Sequence, residues 1–171
     1  MLLVFTAQLH AKDAEWPMFN DPAFTPKIQT PAYEKATGPT ILIDGAHHNF
    51  FVQWHYLDPF IALAQVDGYQ IVISEKPFSE QTLKGIDIVM IITALPFDFT
   101  TKNQVTTEVT FTDKELDALG DWVIKGGALL AFSEHAPFDQ AINPLLARFD
   151  TQSSIGYVED PLPKHHGEKA S

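Results

Sequence analysis

The chain has 171 residues, 45% of them hydrophobic, with 13 phenylalanines, no cysteine and a formal net charge of -11. That is enough apolar material for one domain with a sheet covered on both faces, and it excludes a wholly disordered chain. The acidity repels phosphate backbones and argues against a nucleic-acid partner, while the missing cysteines exclude thiol nucleophiles, disulfides and cysteine metal sites.

Residues 1–11 read MLLVFTAQLHA, a short apolar stretch that ends on a small residue before Lys12 and Asp13. It fits the remnant of a secretory signal peptide, hence a periplasmic or secreted protein, and equally the ordinary first segment of a cytoplasmic one. No apolar run approaches the ~20 residues of a membrane helix. Residues 12–39 hold Pro17, Pro22, Pro26, Pro31 and Pro39. Proline fixes φ and removes a backbone donor, so this segment reads as an extended leader with no helix longer than a turn. Its aromatic residues Trp16, Phe19, Phe24 and Tyr33 are the expected anchors on the domain surface.

An α/β domain is expected over 40–160. Thr40 to Asp44 is a short apolar run ending in a carboxylate, the pattern of a buried parallel strand. After a polar loop, Leu57, Phe60, Ile61 and Ala64 give helical spacing over Trp54 to Val66, stopped by Asp67-Gly68. Gln70 to Ser74 is a second strand, Ser79 to Lys84 a short helix closed by Gly85, and Asp87 to Thr93 a third strand. A long loop over 94–111 leads to Thr112-Asp-Lys-Glu115, which has the form of a capping box. The helix it opens buries Leu116, Leu119, Trp122 and Val123 and ends at Gly126-Gly127. Ala128 to Ser133 is a fourth strand, Phe138 to Phe149 a further helix with Pro144 inside it, and Ile155 to Val158 the start of a fifth strand. Residues 161–171 form a polar tail, and with four or five strands the fold is consistent with one cut short at its C-terminal end. Alternating strands and helices imply right-handed crossovers, a mostly parallel sheet and the strand order 2-1-3-4.

In an open α/β sheet, ligands bind beyond the carboxyl ends of the strands. There the first strand delivers Asp44, His47, His48 and Asn49, and the fourth delivers Ser133, Glu134 and His135; the loop after the third carries Asn103. Imidazoles and carboxylates serve either acid–base chemistry or metal ligation. The acid–base reading uses His135, Glu134, Asp44 and His48, with His47, Asn49 and Asn103 holding a ligand. The metal reading places a divalent cation among Asp44, His47, His48, Glu134 and His135. Both expect these groups to face one cavity, and buried carboxylates there require charged histidines or a cation. Each residue also has a plainer use: Asp44 accepting backbone N–H groups, Glu134 capping the next helix, His55 packing, and His165 and His166 solvated in the tail.

The runs ILIDGAHHNF, DGYQIVISEKPFSEQTLKGIDIVMIITAL and FTDKELDALGDWVIKGGALLAFSEHAPFDQAINPLLARF resemble an uncharacterised bacterial family, domain of unknown function 4350, of the class I glutamine amidotransferase-like superfamily. The resemblance spans about residues 21–160, and WVIKGG to SEHAPF is also similar to the trehalose-utilisation branch. It implies a flavodoxin-like three-layer sandwich and an exported protein. It does not imply amidotransferase activity, because the position of the superfamily's cysteine elbow reads Phe132-Ser133-Glu134-His135-Ala136 here. Ser133 lacks the flanking glycines that a nucleophile elbow needs. Three functions stay open: a module binding a small polar molecule or a protein partner, a hydrolase built on the His/carboxylate set, and a structural component of an envelope or transporter assembly.

Overall fold

The computed structural model describes residues 20, 21, 23–98, 109–154 and 156. Its strands are β1 (Thr40–Asp44), β2 (Gln70–Ser74), β3 (Ile88–Ile92) and β4 (Ala128–Phe132). Its helices are α1 (Phe50–Gln53), α2 (Asp58–Val66), α3 (Asp113–Ile124) and α4 (Phe138–Leu146), the last followed by a 3-10 turn over Ala147–Phe149. All three strand pairings are parallel, in the order β2-β1-β3-β4. This is the flavodoxin-like arrangement expected from the sequence.

Side chains alternate between the two faces of a strand, and the sheet uses both. Leu42, Val89 and Ile91 point to one face and pack with Leu116, Leu119, Ile142 and Leu145 of α3 and α4. Ile41, Ile43 and Met90 point to the other and pack with Leu57, Phe60 and Ile61 around α2. Asp44 has the parity of Leu42, which aims it at the α3 face. A third cluster joins Phe50, Leu95 and Phe138, with Trp54, Tyr56 and Phe97 around them. These residues come from the segments following β1, β3 and β4, so an apolar plug gathers where the chain leaves the sheet.

Two expected helices differ. The helical spacing over 54–66 starts late: Pro59 lies in the first turn of α2, where its fixed φ initiates a helix, and His55 has φ +60°. The residues before it form α1 instead, capped by Asn49. Ser79 to Lys84 is a series of turns, because the Ser79 and Thr82 hydroxyls hydrogen-bond to each other and to nearby backbone. The capping box at Thr112 and Glu115 forms as expected.

The described part of the proline-rich segment carries neither helix nor strand. It is tied to the α2–β2 turn: Ala32 N donates to Asp67 Oδ1 at 2.7 Å, Tyr33 N to Asp67 O at 3.2 Å and Gly38 N to Gly68 O at 2.9 Å. The Tyr33 ring meets Tyr69 edge-on at 5.2 Å. Residues 1–19, the fifth strand expected at 155–158 and the tail at 161–171 lie wholly or largely outside the described residues. Among the described residues, no helix is long and apolar enough to cross a membrane.

Candidate functional site

The loop leaving β1 turns at Gly45, whose N–H donates to Ser74 O at 2.9 Å. It then folds His47 back under the sheet edge, with 7% of its surface exposed. His47 Nδ1 donates to both oxygens of Asp44, at 2.9 and 3.0 Å, and Nε2 donates to Glu115 Oε1 at 2.8 Å. Ionised carboxylates only accept, so both ring nitrogens carry protons and His47 is an imidazolium. The carboxylates accept further bonds. Asp44 Oδ1 accepts from Ala46 N, Glu115 Oε1 from Phe78 N, and Glu115 Oε2 from both the N–H and the hydroxyl of Thr112. The imidazolium stacks on Phe78 at 5.2 Å and meets Phe111 at 4.7 Å, where the ring faces attract the cation.

The titration follows from these contacts. Burial is the largest single influence on His47 and pushes it down, but the hydrogen bond and charge of Asp44, then the charge and hydrogen bond of Glu115, outweigh it together. The net shift is upward. Burial pushes Glu115 up; the Thr112 hydrogen bonds and the His47 charge outweigh that and hold it below the usual carboxylate range.

The structure therefore brings Asp44 and His47 together, and adds a carboxylate that the sequence pattern had assigned only to a helix cap. It does not assemble the expected cavity. Asp44 is 1% exposed, so it faces its partners and not a ligand. His48, the next residue, points the other way, into a crevice of about 970 Å3 over the ends of β1 and β2. Glu134 lines a separate cavity of about 410 Å3 at the ends of β3 and β4. His135 Nδ1 donates to Ala136 O at 2.8 Å, and its ring meets Phe138 edge-on. Asn49 is fully buried and caps α1, with its Nδ2 unpartnered among the described residues. Asn103 lies outside the described residues.

The same geometry bears on the five-residue metal set. Both nitrogens of His47 are committed to carboxylates, and Asp44 is engaged by His47 and by Ala46 N. Among the described residues, no group of three or more histidine, aspartate or glutamate side chains is placed to hold a metal ion. The requirement for a charged histidine is met by His47, inside a closed trio.

His48 is the group left available. It is partly buried, has φ +44° and makes no hydrogen bond among the described residues. A non-glycine residue held at positive φ is strained, and such strain concentrates at functional positions. The crevice around it combines Gln53, Ser74 and Lys76 with the apolar side chains of Val72 and Ile73. Leu95 N donates to His47 O at 2.8 Å, so the loop that presents His48 is also fastened to the loop after β3. No protein family, curated protein or solved structure matches this chain.

Proposed function

We propose that this chain is a small-ligand-binding domain whose site is the crevice over the carboxyl ends of β1 and β2, with His48 as its central polar contact. The carrying observation is the contrast between two adjacent histidines. His47 is locked on both nitrogens, and the lock holds His48 in a strained conformation with its imidazole in the crevice of about 970 Å3. Pre-organising one unsatisfied group at the cost of its neighbour's freedom is the signature of recognition. The apolar wall at Val72 and Ile73 and the polar mouth at Gln53, Ser74 and Lys76 suit a small polar molecule with one apolar face.

Hydrolysis is less well supported. A neighbouring carboxylate commonly orients and tunes an acid–base histidine; Asp44 and Glu115 are both bonded to His47, and Asp58 and Glu75 line the crevice without bonding His48. The fold, the missing cysteine and the resemblance to the glutamine amidotransferase-like superfamily support a member that keeps the architecture without the thiol chemistry. An exported location, read from residues 1–11, belongs to the same proposal and is tested by N-terminal sequencing of protein from the periplasmic fraction.

The experiment is an NMR titration of the labelled protein with a panel of sugars, nucleosides and small carboxylates. Hits should shift the amides of Gly45 to His48 and Ser74 to Lys76, and His48→Ala should abolish those shifts. Hits that cluster elsewhere, or that survive the substitution, would overturn the reading.

A further inference from the structure

The geometry points to a second ligand site, for a small organic ammonium, in the cavity at the carboxyl ends of β3 and β4. This cavity holds about 410 Å3, within the ~300–1,000 Å3 usual for small-molecule sites. Three phenylalanines line it, Phe51 from α1, Phe60 from α2 and Phe132 at the end of β4, together with Met90 of the sheet. Glu134 stands in the same lining and is its one charged residue. It is exposed and forms no ion pair or hydrogen bond among the described residues.

The inner surface adds an independent mark of a ligand. Thr93, immediately after β3, is 2% exposed and has φ +50°, and its hydroxyl has no hydrogen-bond partner among the described residues. A buried hydroxyl without a partner costs free energy, which a hydrogen-bonding ligand returns.

The charge of the ligand follows from exclusion. An anion would meet the Glu134 carboxylate on a chain of net charge -11 and be repelled. A neutral apolar body would cover Glu134 and leave a desolvated charge without a counterion. A cation satisfies both constraints, and aromatic faces attract an alkylammonium directly. The ring surface also favours a weakly hydrated, alkylated ammonium over a metal ion, which would need more oxygen donors than this lining supplies. This site shares Phe51 and Leu57 with the crevice over β1 and β2, but His48 lines only that crevice and Thr93 and Glu134 only this one, so the His48 and Glu134 variants test the two readings separately.

The test is an NMR titration of the full chain with choline and with its uncharged carbon isostere, in which a tert-butyl group replaces the trimethylammonium. Both carry a hydroxyl that can serve Thr93, so the comparison isolates the charge. Choline should shift the amides of Thr93 and of Phe132 to Glu134, and the isostere should bind at least about fivefold more weakly. Glu134→Gln should weaken choline by a similar factor, and Phe132→Ala should weaken it too. Glu134 and Phe132 are exposed, so both variants keep the core and should retain the wild-type amide fingerprint. Equal binding of choline and the isostere would overturn the proposal. So would affinity unchanged in Glu134→Gln, or choline shifts that are absent or confined to other amides.

Discussion

Replacing His47 by glutamine keeps most of the side-chain volume between Phe78 and Phe111 but removes the positive charge. The Asp44 and Glu115 carboxylates, 1% and 6% exposed, would then face a neutral amide that can donate through only one end. Removing one partner of a buried ion pair costs about 3–5 kcal/mol, because the other charge stays buried without compensation. At about 2–4 °C per kcal/mol for a chain of this size, the melting temperature should fall by roughly 6–20 °C near neutral pH. The assay is thermal unfolding followed by circular dichroism across a pH series. In the variant, acidification should recover part of the loss as one carboxylate takes up a proton.

The wild type should lose stability at high pH, from the titration of His47 itself. His47 is held above its ordinary 6.5, so its contribution is complete below pH 6.5 and is lost as pH rises through the folded-state value. Glu115 is held below its ordinary 4.5, so its contribution is complete above pH 4.5 and is lost as pH falls through its own folded-state value. Between pH 4.5 and 6.5 both contributions are complete. A loss under about 1 kcal/mol in His47→Gln, the scale of an exposed pair, would refute the reasoning. A wild-type stability that keeps rising above pH 6.5 would refute the assigned charge.

Three further outcomes follow from single contacts. Thr112→Ala removes the hydroxyl, and with it the α3 cap on Glu115 N and the hydrogen bond to Glu115 Oε2, and should cost at least the ~0.5–2 kcal/mol of a lost N-cap in denaturant unfolding. Because the Thr112 N–H survives, a loss smaller than that would mean the backbone contact alone holds Glu115. His48→Gly relieves a φ of +44° and should leave stability unchanged or raise it by up to about 1 kcal/mol, while abolishing ligand shifts in the crevice; a clear destabilisation would mean the imidazole packs instead of binding. In Gly68→Ala the new Cβ would lie 2.5 Å from the Tyr33 carbonyl oxygen at a backbone φ of +94°. Hydrogen exchange should then speed up at the Tyr33 and Gly38 amides, and unchanged exchange would show that the leader is held elsewhere.

Much of the sheet was legible because its strands are short, continuous apolar runs between turn residues. TILID, QIVIS and ALLAF cannot satisfy a helical stripe, and the crossover rule then fixes their order. The helix after β1 was misplaced because the apolar spacing at Leu57, Phe60, Ile61 and Ala64 says where a helix buries, not where it begins; Pro59 carried that signal. The site was legible only in its first half. Asp44 and His47 are three residues apart, and local sequence brings them together. Glu115 lies 68 residues beyond His47, and its role as N3 of a capping box already accounts for its presence. Nothing in the local pattern says that its other oxygen reaches across to β1. Glu134 and His135 were the visible His/carboxylate candidates near a strand end, and they serve the opposite flank of the sheet.

The closed trio also constrains how this protein can change over generations. Asp44, His47 and Glu115 are each tolerable only because the other two are present. Losing the histidine strands two negative charges, and losing either carboxylate leaves a buried imidazolium N–H without its acceptor. Single steps away from the trio all pass through a buried, unsatisfied group. A lineage that abandons it must therefore replace the members nearly together, for instance with an apolar set that fills the space between Phe78 and Phe111. His48 sits beside this locked group under no such restriction. Its identity is free to drift with whatever the crevice is asked to hold, while the frame that presents it stays fixed.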